Sequence, residues 1–213
     1  VLFSPTGDQI CYGRPVAEGK WFNVTTLEFL DLERGDTSRP LLHLDESPFP
    51  VRWTEKGLVF TLQRKTDSYL YMLDNEGNVV PLLDDPGTVT FSAAVNQKGD
   101  ALATLTATRD RPFEIYLNGA AVTNQSRYYE SKTLSRKEIV TWQSEDGTQI
   151  EGILITAPDM DESKPHPLLV VVHGGPSWAA FATPTSNLYY PYEQFVERGF
   201  ILLDVNYRGS SGY

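Results

Sequence analysis

Between residues 1 and about 125, apolar positions fall in short runs broken by glycine turns, the pattern of strands rather than of amphipathic helices. Three turns recur: Ser4-Pro5-Thr6-Gly7-Asp8 before Gln9 to Tyr12, Thr54-Glu55-Lys56-Gly57 before Leu58 to Phe60, and Asn96-Gln97-Lys98-Gly99-Asp100 before Ala101 to Ala103. Each sets a glycine where a hairpin needs positive φ and follows it with an apolar strand. Beyond the second turn, Ser68 to Asp74, the turn Asn75-Glu76-Gly77-Asn78, and Val79 to Leu83 predict an outer hairpin, which completes four strands. Leu27 to Leu32 with Leu41 to Leu44, and Glu114 to Leu117 with Ala120 to Val122, take the same outer places in the flanking units.

The repeat returns at roughly 40 to 50 residues, the period of propeller blades. About two and a half blades are visible, fewer than the roughly four to eight that close a ring. Ser126 to Lys137 is polar and aperiodic, as a connection between domains would be, and the boundary is placed near Thr133. The expected organisation is therefore residues 1–132 as C-terminal blades of a β-propeller, with a different unit over residues 133–213.

In that second unit, Glu138 to Trp142, the turn Glu145 to Thr148, and Gln149 to Thr156 predict an antiparallel hairpin. Pro167 to Val172 is an unbroken apolar run, as in a central strand of a mostly parallel sheet buried on both faces. A helix over Asn187 to Arg198 ends at Gly199, and Phe200 to Val205 returns as a second buried strand. Strand, helix and strand predict a right-handed crossover, hence α/β architecture.

Composition narrows the function. With 40% apolar and 12% aromatic residues, the 213-residue chain fills a core. A formal charge of −10 with no block of Lys or Arg argues against nucleic acid and anionic lipid as partners. The longest apolar runs fall far short of the ~20 residues of a membrane helix. Cys11, the single cysteine, precludes an internal disulfide and is read as a small strand hydrophobe. A cytoplasmic location is the working expectation. His43, His166 and His173 lack metal-ligand spacing, and no phosphate loop or dinucleotide fingerprint occurs, so neither metal nor cofactor is expected. Val1 leads straight into a turn and Tyr213 stands inside a glycine-rich loop, so both ends read as interior to a longer chain.

The sharpest local feature is His173-Gly174-Gly175-Pro176, directly after the apolar run. Two glycines let the backbone turn tightly and present N–H groups to a ligand, as in the oxyanion loop of α/β-hydrolases. A bare His-Gly-Gly is equally an ordinary strand-end turn. Its position between a buried strand and a loop leading to a helix favours the first reading.

Trp142-Gln-Ser-Glu-Asp-Gly147, His173 to Pro176 and Asn206-Tyr-Arg-Gly-Ser-Ser-Gly-Tyr213 together resemble, in order and spacing, successive signatures of the prolyl oligopeptidase family. The likeness is nearest to its acylaminoacyl-peptidase and dipeptidyl-peptidase-like branches, and it covers residues 138–213 strongly and the propeller weakly. It implies a serine-type peptidase that cleaves short peptides, through an acyl-enzyme, in a cavity between propeller and hydrolase domain. It assigns the oxyanion N–H to Gly175, with His173, Gly174 and Pro176 as the loop around it. Arg208 is placed to touch substrate or the propeller, or else to brace its loop through an ion pair.

Several residues are set aside. His173 precedes any nucleophile and cannot follow the chain order Ser, Asp, His of these folds. Gly209-Ser210-Ser211-Gly212 lacks the Gly-x-Ser-x-Gly spacing, which occurs nowhere in the chain, and Ser177 reads as a cap or loop hydrogen-bonder. The triad is therefore expected beyond Tyr213, and the 213 residues alone are expected to be inactive. An esterase, or a non-enzymatic propeller binding protein, are the alternatives.

Overall fold

A computed structural model describes residues 1–17, 24–175, 177–184 and 190–213. The first part is built from three four-stranded antiparallel meanders. The first contains β1 (Leu2–Phe3), β2 (Gln9–Pro15), β3 (Thr25–Asp31) and β4 (Thr37–Ser38) in sequential order. The second contains β5 (Phe49–Thr54), β6 (Gly57–Arg64), β7 (Asp67–Asp74) and β8 (Val79–Leu83), and the third β9 (Thr88–Val95), β10 (Leu102–Thr108), β11 (Glu114–Leu117) and β12 (Ala120–Ala121). The second and third meet where Ser68 on β7 pairs with Val89 on β9.

The three turns that mark the repeat each carry a positive-φ glycine, at Gly7, Gly57 and Gly99. Gly57 is the most constrained, because a Cβ there would lie 2.2 Å from the Leu73 carbonyl oxygen. One sequence assignment fails: Leu41 to Leu44 is a turn, closed by Leu42 N–H on the Arg39 carbonyl and Leu44 N–H on the Leu41 carbonyl. Leu41 is nevertheless fully buried, so its apolar character serves packing between strands and not a strand. The short edge strand is β4 instead, and it makes the first meander whole, giving three meanders where the sequence pattern showed about two and a half.

The main core joins the first two meanders. Cys11, Leu27 and Phe29 pack against Leu58, Phe60, Leu62 and Tyr71, with Trp53 edge-on to Phe29 at 5.2 Å. Cys11 is a core residue here, and burial pushes its thiol pKa up to about 12.

After a single 3-10 turn at Ser126–Tyr128, a separate four-stranded mixed sheet follows. It contains β13 (Arg136–Gln143), β14 (Gln149–Thr156), β15 (Leu168–Val172) and β16 (Ile201–Asn206), in the order β13-β14-β16-β15. β13 and β14 form the expected hairpin. β15 and β16 are parallel neighbours, and between them the chain passes through α1 (Tyr192–Glu197). The expected helix began at Asn187, but residues 187 to 189 lie outside the described residues. Ile153, Ile155, Leu202, Tyr192 and Val196 make this sheet's core.

β15 differs from expectation. Within these 213 residues it is the outermost strand of the sheet, with Leu168, Val170 and Val172 exposed on one face and Val172 66% accessible. Only Leu169 and Val171 pack inward. An unbroken apolar run shows what a strand is suited to face, but not which neighbours stand beside it.

Candidate functional site

β15 runs directly into the His173-Gly174-Gly175 turn. Gly175 has φ +124°, and a Cβ there would approach the Trp178 nitrogen to 3.0 Å and the Ser177 nitrogen to 3.2 Å. Only glycine fits both the dihedral and the space. Gly174 and Gly175 are exposed, and among the described residues the Gly175 N–H donates to no protein acceptor. Pro176 lies outside the described residues.

His173 is fixed by the loop that follows β16. Its ring stacks on Tyr207 with centroids 4.5 Å apart, and the Tyr207 hydroxyl donates to the His173 carbonyl at 2.9 Å. Nε2 of His173 lies 2.9 Å from Ser210 Oγ, while Nδ1 is 3.1 Å from the Gly174 carbonyl. A serine beside a histidine invites comparison with a catalytic pair, but the geometry speaks against it. Ser210 is buried and its hydroxyl donates to the Tyr207 carbonyl at 2.6 Å, so its proton is directed away from His173. This pair ties two loops together.

Asn206, at the end of β16, holds the chain beyond the glycine turn. Its Oδ1 accepts from the Ala180 N–H at 2.7 Å and its Nδ2 donates to the Ala180 carbonyl at 3.1 Å, the pairing a strand backbone would give. Two places behind it, the buried Asp204 carboxylate receives the Tyr192 hydroxyl at 2.7 Å. Burial raises the Asp204 pKa above the ordinary value; the Tyr192 hydrogen bond and the nearby His173 pull the other way.

Arg208 pairs with Asp146, Nη2 to Oδ2, at 2.5 Å. Both side chains are more than half exposed, so the pair is a surface brace and not a buried one. The Arg208 guanidinium, with the Ser144 hydroxyl and the Thr148 N–H, holds the Asp146 carboxyl well below its usual pKa range, the Ser144 hydroxyl contributing most. Two of the three sequence signatures, 142–147 and 206–213, are thereby joined directly.

The same loop docks on the second meander. Lys65, a non-glycine residue with φ 55°, donates its N–H to the Gly212 carbonyl at 2.9 Å, and Gln63 Nε2 donates to the Ser211 carbonyl at 3.1 Å. A Cβ on Gly212 would stand 2.7 Å from the Lys65 nitrogen, so the close approach of the two backbones requires glycine. Glu151 receives Lys65 Nζ at 3.2 Å and the Tyr213 hydroxyl at 2.7 Å. Burial, helped by that carboxylate, raises the Tyr213 pKa.

Between the meanders and this loop lies a cavity of about 980 Å3. One wall comes from β5, β6 and β9, including Phe49, Arg64 and Phe91; the other comes from Trp178, Phe181 and residues 206–213. Gly175 itself is not on the wall, but Ser177 and Trp178 beside it are. A smaller cleft of about 380 Å3 around Leu2, Trp53 and Val95 touches no residue of the turn. Among the described residues no group of three or more His, Cys, Asp or Glu stands together as metal ligands. No helix among them is long and apolar enough to cross a membrane.

Sequence reading missed Phe49, Phe91, Trp178, Phe181 and the Lys65, Glu151 and Tyr213 cluster. The phenylalanines carried a signal, since each stands five residues ahead of the first residue of its repeat turn, Thr54 or Asn96. The cluster carried none, because its members come from three separate elements.

Antiparallel meanders followed by a mixed sheet that leads into a glycine turn make up a fold that solved structures share. The acylaminoacyl peptidase of Pyrococcus horikoshii superposes with a TM-score of 0.78 at 20% identity, over 97% of this chain and 32% of that one. Puromycin hydrolase does so with a TM-score of 0.68 at 18% identity, over all of this chain and 42% of that one. In sequence, the chain is 26% identical to the uncharacterized peptidase YuxL of Bacillus subtilis, over 84% of its own length and 26% of that protein. It is 25% identical to a probable dipeptidyl-peptidase 5 of Aspergillus niger, over its whole length and 30% of that protein. The relatives it resembles in sequence are peptidases, and the solved structures whose fold it shares include an acylaminoacyl peptidase and a puromycin hydrolase. It spans between a quarter and a third of the length of the two curated relatives. No family model matches the chain.

Proposed function

We propose that residues 1–132 are the C-terminal blades of a β-propeller, and that residues 133–213 open the α/β-hydrolase domain of a serine peptidase. In this reading the Gly175 N–H is one of two donors to the oxyanion. The observation that carries it is the Gly175 turn: an exposed glycine whose N–H has no acceptor among the described residues, held at a φ open only to glycine, just after a parallel strand and beside the cavity. The nucleophile, base and acid come from sequence beyond these 213 residues, in keeping with relatives three to four times as long.

A serine hydroxyl attacks the peptide carbonyl while its proton passes to the base, and the carbonyl oxygen takes up negative charge. A fixed N–H aimed at that oxygen lowers the barrier by about 3 kcal/mol, because it strengthens as the charge develops and needs no reorganisation. Collapse expels the amine, which leaves with the proton, and water then hydrolyses the acyl-enzyme. In this chain His173, Tyr207 and Ser210 hold the turn, and Arg208 with Asp146 braces the loop beneath it.

Full-length protein is expected to cleave acyl-peptides or dipeptide amides with a burst of acyl-enzyme, and to be labelled by a fluorophosphonate. The 213 residues alone are expected to do neither. Peptide turnover by the isolated 213 residues, or a full-length protein acting only on short-chain esters, would contradict the proposal.

A further inference from the structure

The smaller cleft, of about 380 Å3, lies where the first strands of the three meanders, β1, β5 and β9, come together. Its lining is apolar, with Phe3, Trp53 and Val95 among the larger side chains, except for Arg52 and Gln97. A β-bulge in β5 brings Arg52 there. Pro50 pairs with Phe60 and Arg52 with Val59, which leaves Val51 without a partner across the strand. Residues two apart on a regular strand face the same way, but here Val51 packs into the core shared with the third meander and Trp53 into the core shared with the first. Arg52 stands between them on the outermost strand of its sheet, exposed and on the cleft wall.

The Arg52 guanidinium donates to the Gln97 side chain at 3.1 Å and, among the described residues, forms no ion pair. A guanidinium carries donors alone, so the amide atom facing it is Oε1. The Gln97 Nε2 is thereby turned elsewhere, and it too has no acceptor among the described residues. Two neighbouring donor groups thus line an apolar cleft that has no Asp or Glu on its wall. The larger cavity is different, because its Arg64, Lys65 and Arg208 are already paired with Glu46, Glu151 and Asp146.

Size and charge select the ligand. About 380 Å3 is near the lower end of the range of roughly 300 to 1,000 Å3 found for small-molecule sites. One guanidinium with an amide beside it satisfies one carboxylate, whereas a phosphate dianion would find no second cation on the lining. We infer that the cleft at Arg52 is a binding site for a small monocarboxylate with an apolar body, its carboxylate on Arg52 and Gln97 and its apolar part against Phe3 and Trp53. The site is distinct from the cavity beside the glycine turn, and it stands whether or not the protein cleaves peptides.

The test is a ligand-detected NMR titration of full-length protein with phenylacetate. Saturable binding at one site is expected, with a Kd of about 1 mM. Phenylacetamide, which lacks the charge, and acetate, which lacks the apolar body, are each expected to bind about tenfold more weakly. Arg52→Gln is expected to weaken phenylacetate about tenfold and to leave phenylacetamide unchanged, and Arg52→Lys to keep part of the preference for the acid. Arg64→Gln, on the wall of the larger cavity, is expected to leave phenylacetate binding as it is. Because Arg52 is exposed, its substitution is expected to move the melting temperature of the ligand-free protein by no more than about 1 °C. Phenylacetate binding that is absent, undiminished in Arg52→Gln, or lost in Arg64→Gln would overturn the inference. So would a melting temperature that falls several degrees in ligand-free Arg52→Gln, since Arg52 would then already hold a carboxylate of the full-length chain.

Discussion

Glu28 on β3 and Asp204 on β16 are both buried carboxylates, and the two regions of the molecule treat them differently. Glu28 is fully enclosed but surrounded: the Tyr12 hydroxyl, the Arg39 guanidinium at 2.5 Å and that of Arg14 at 2.8 Å all donate to it. These donors, the tyrosine first, hold its pKa down at about 2 despite burial. Among the described residues Asp204 has the Tyr192 hydroxyl and no ion pair, and burial drives its pKa up. The meander therefore contains a closed polar network of structural type. The mixed sheet keeps a buried carboxylate with a raised pKa two residues from Asn206 and near His173.

The contrast extends to the cores, and it can be tested. The largest effects are expected from Leu27→Ala and Leu202→Ala, each removing a fully buried side chain at a cost of about 3 kcal/mol. In the 213-residue chain, Val170→Ala, on the face of β15 that is exposed there, should shift a urea midpoint hardly at all. A large loss at Val170 would mean that this face is covered, and would remove the difference between the regions.

Acid comes next, and it should act on the two regions in opposite directions. Glu28 has a depressed pKa, so its contribution is complete above its ordinary 4.5 and is lost as pH falls through about 2. Asp204 has a raised pKa, so its cost grows as pH rises past 3.8 and is relieved on acidification. Hydrogen exchange corrected for intrinsic rates should show β3 losing protection toward pH 2, while β16 holds or gains protection as pH falls from 7. Parallel losses in both strands would contradict the assignment. Smaller again, Asp204→Asn should raise the melting temperature slightly at pH 7 and leave it unchanged at pH 3. Smallest is Arg208→Ala, which removes an exposed pair and should move the melting temperature by no more than about 1 °C.

What could be read in the sequence was local and periodic. The glycine turns at Gly7, Gly57 and Gly99 fixed the meander repeat, and the 206–213 segment marked a loop that lines the cavity and meets Asp146 through Arg208 and His173 through Tyr207 and Ser210. What could not be read was set by neighbours. Leu41 had the composition of a strand residue yet sits in a turn. Arg208 was open to two readings until Asp146, 62 residues away, was found beside it. The Lys65, Gly212 and Glu151 contact that joins meander to loop depends on tertiary proximity alone.

The Gly175 donor is the centre of the functional account, and its geometry dictates the experiment. Proline would delete the N–H but cannot adopt φ +124°, so it would break the turn as well. Replacing Gly175 by glycolic acid, which puts an ester oxygen in place of the N–H and keeps the absence of a side chain, removes the donor alone. In full-length protein the account predicts a fall in kcat of about 10² to 10³ with KM nearly unchanged. Wild-type kcat in that ester variant would contradict it.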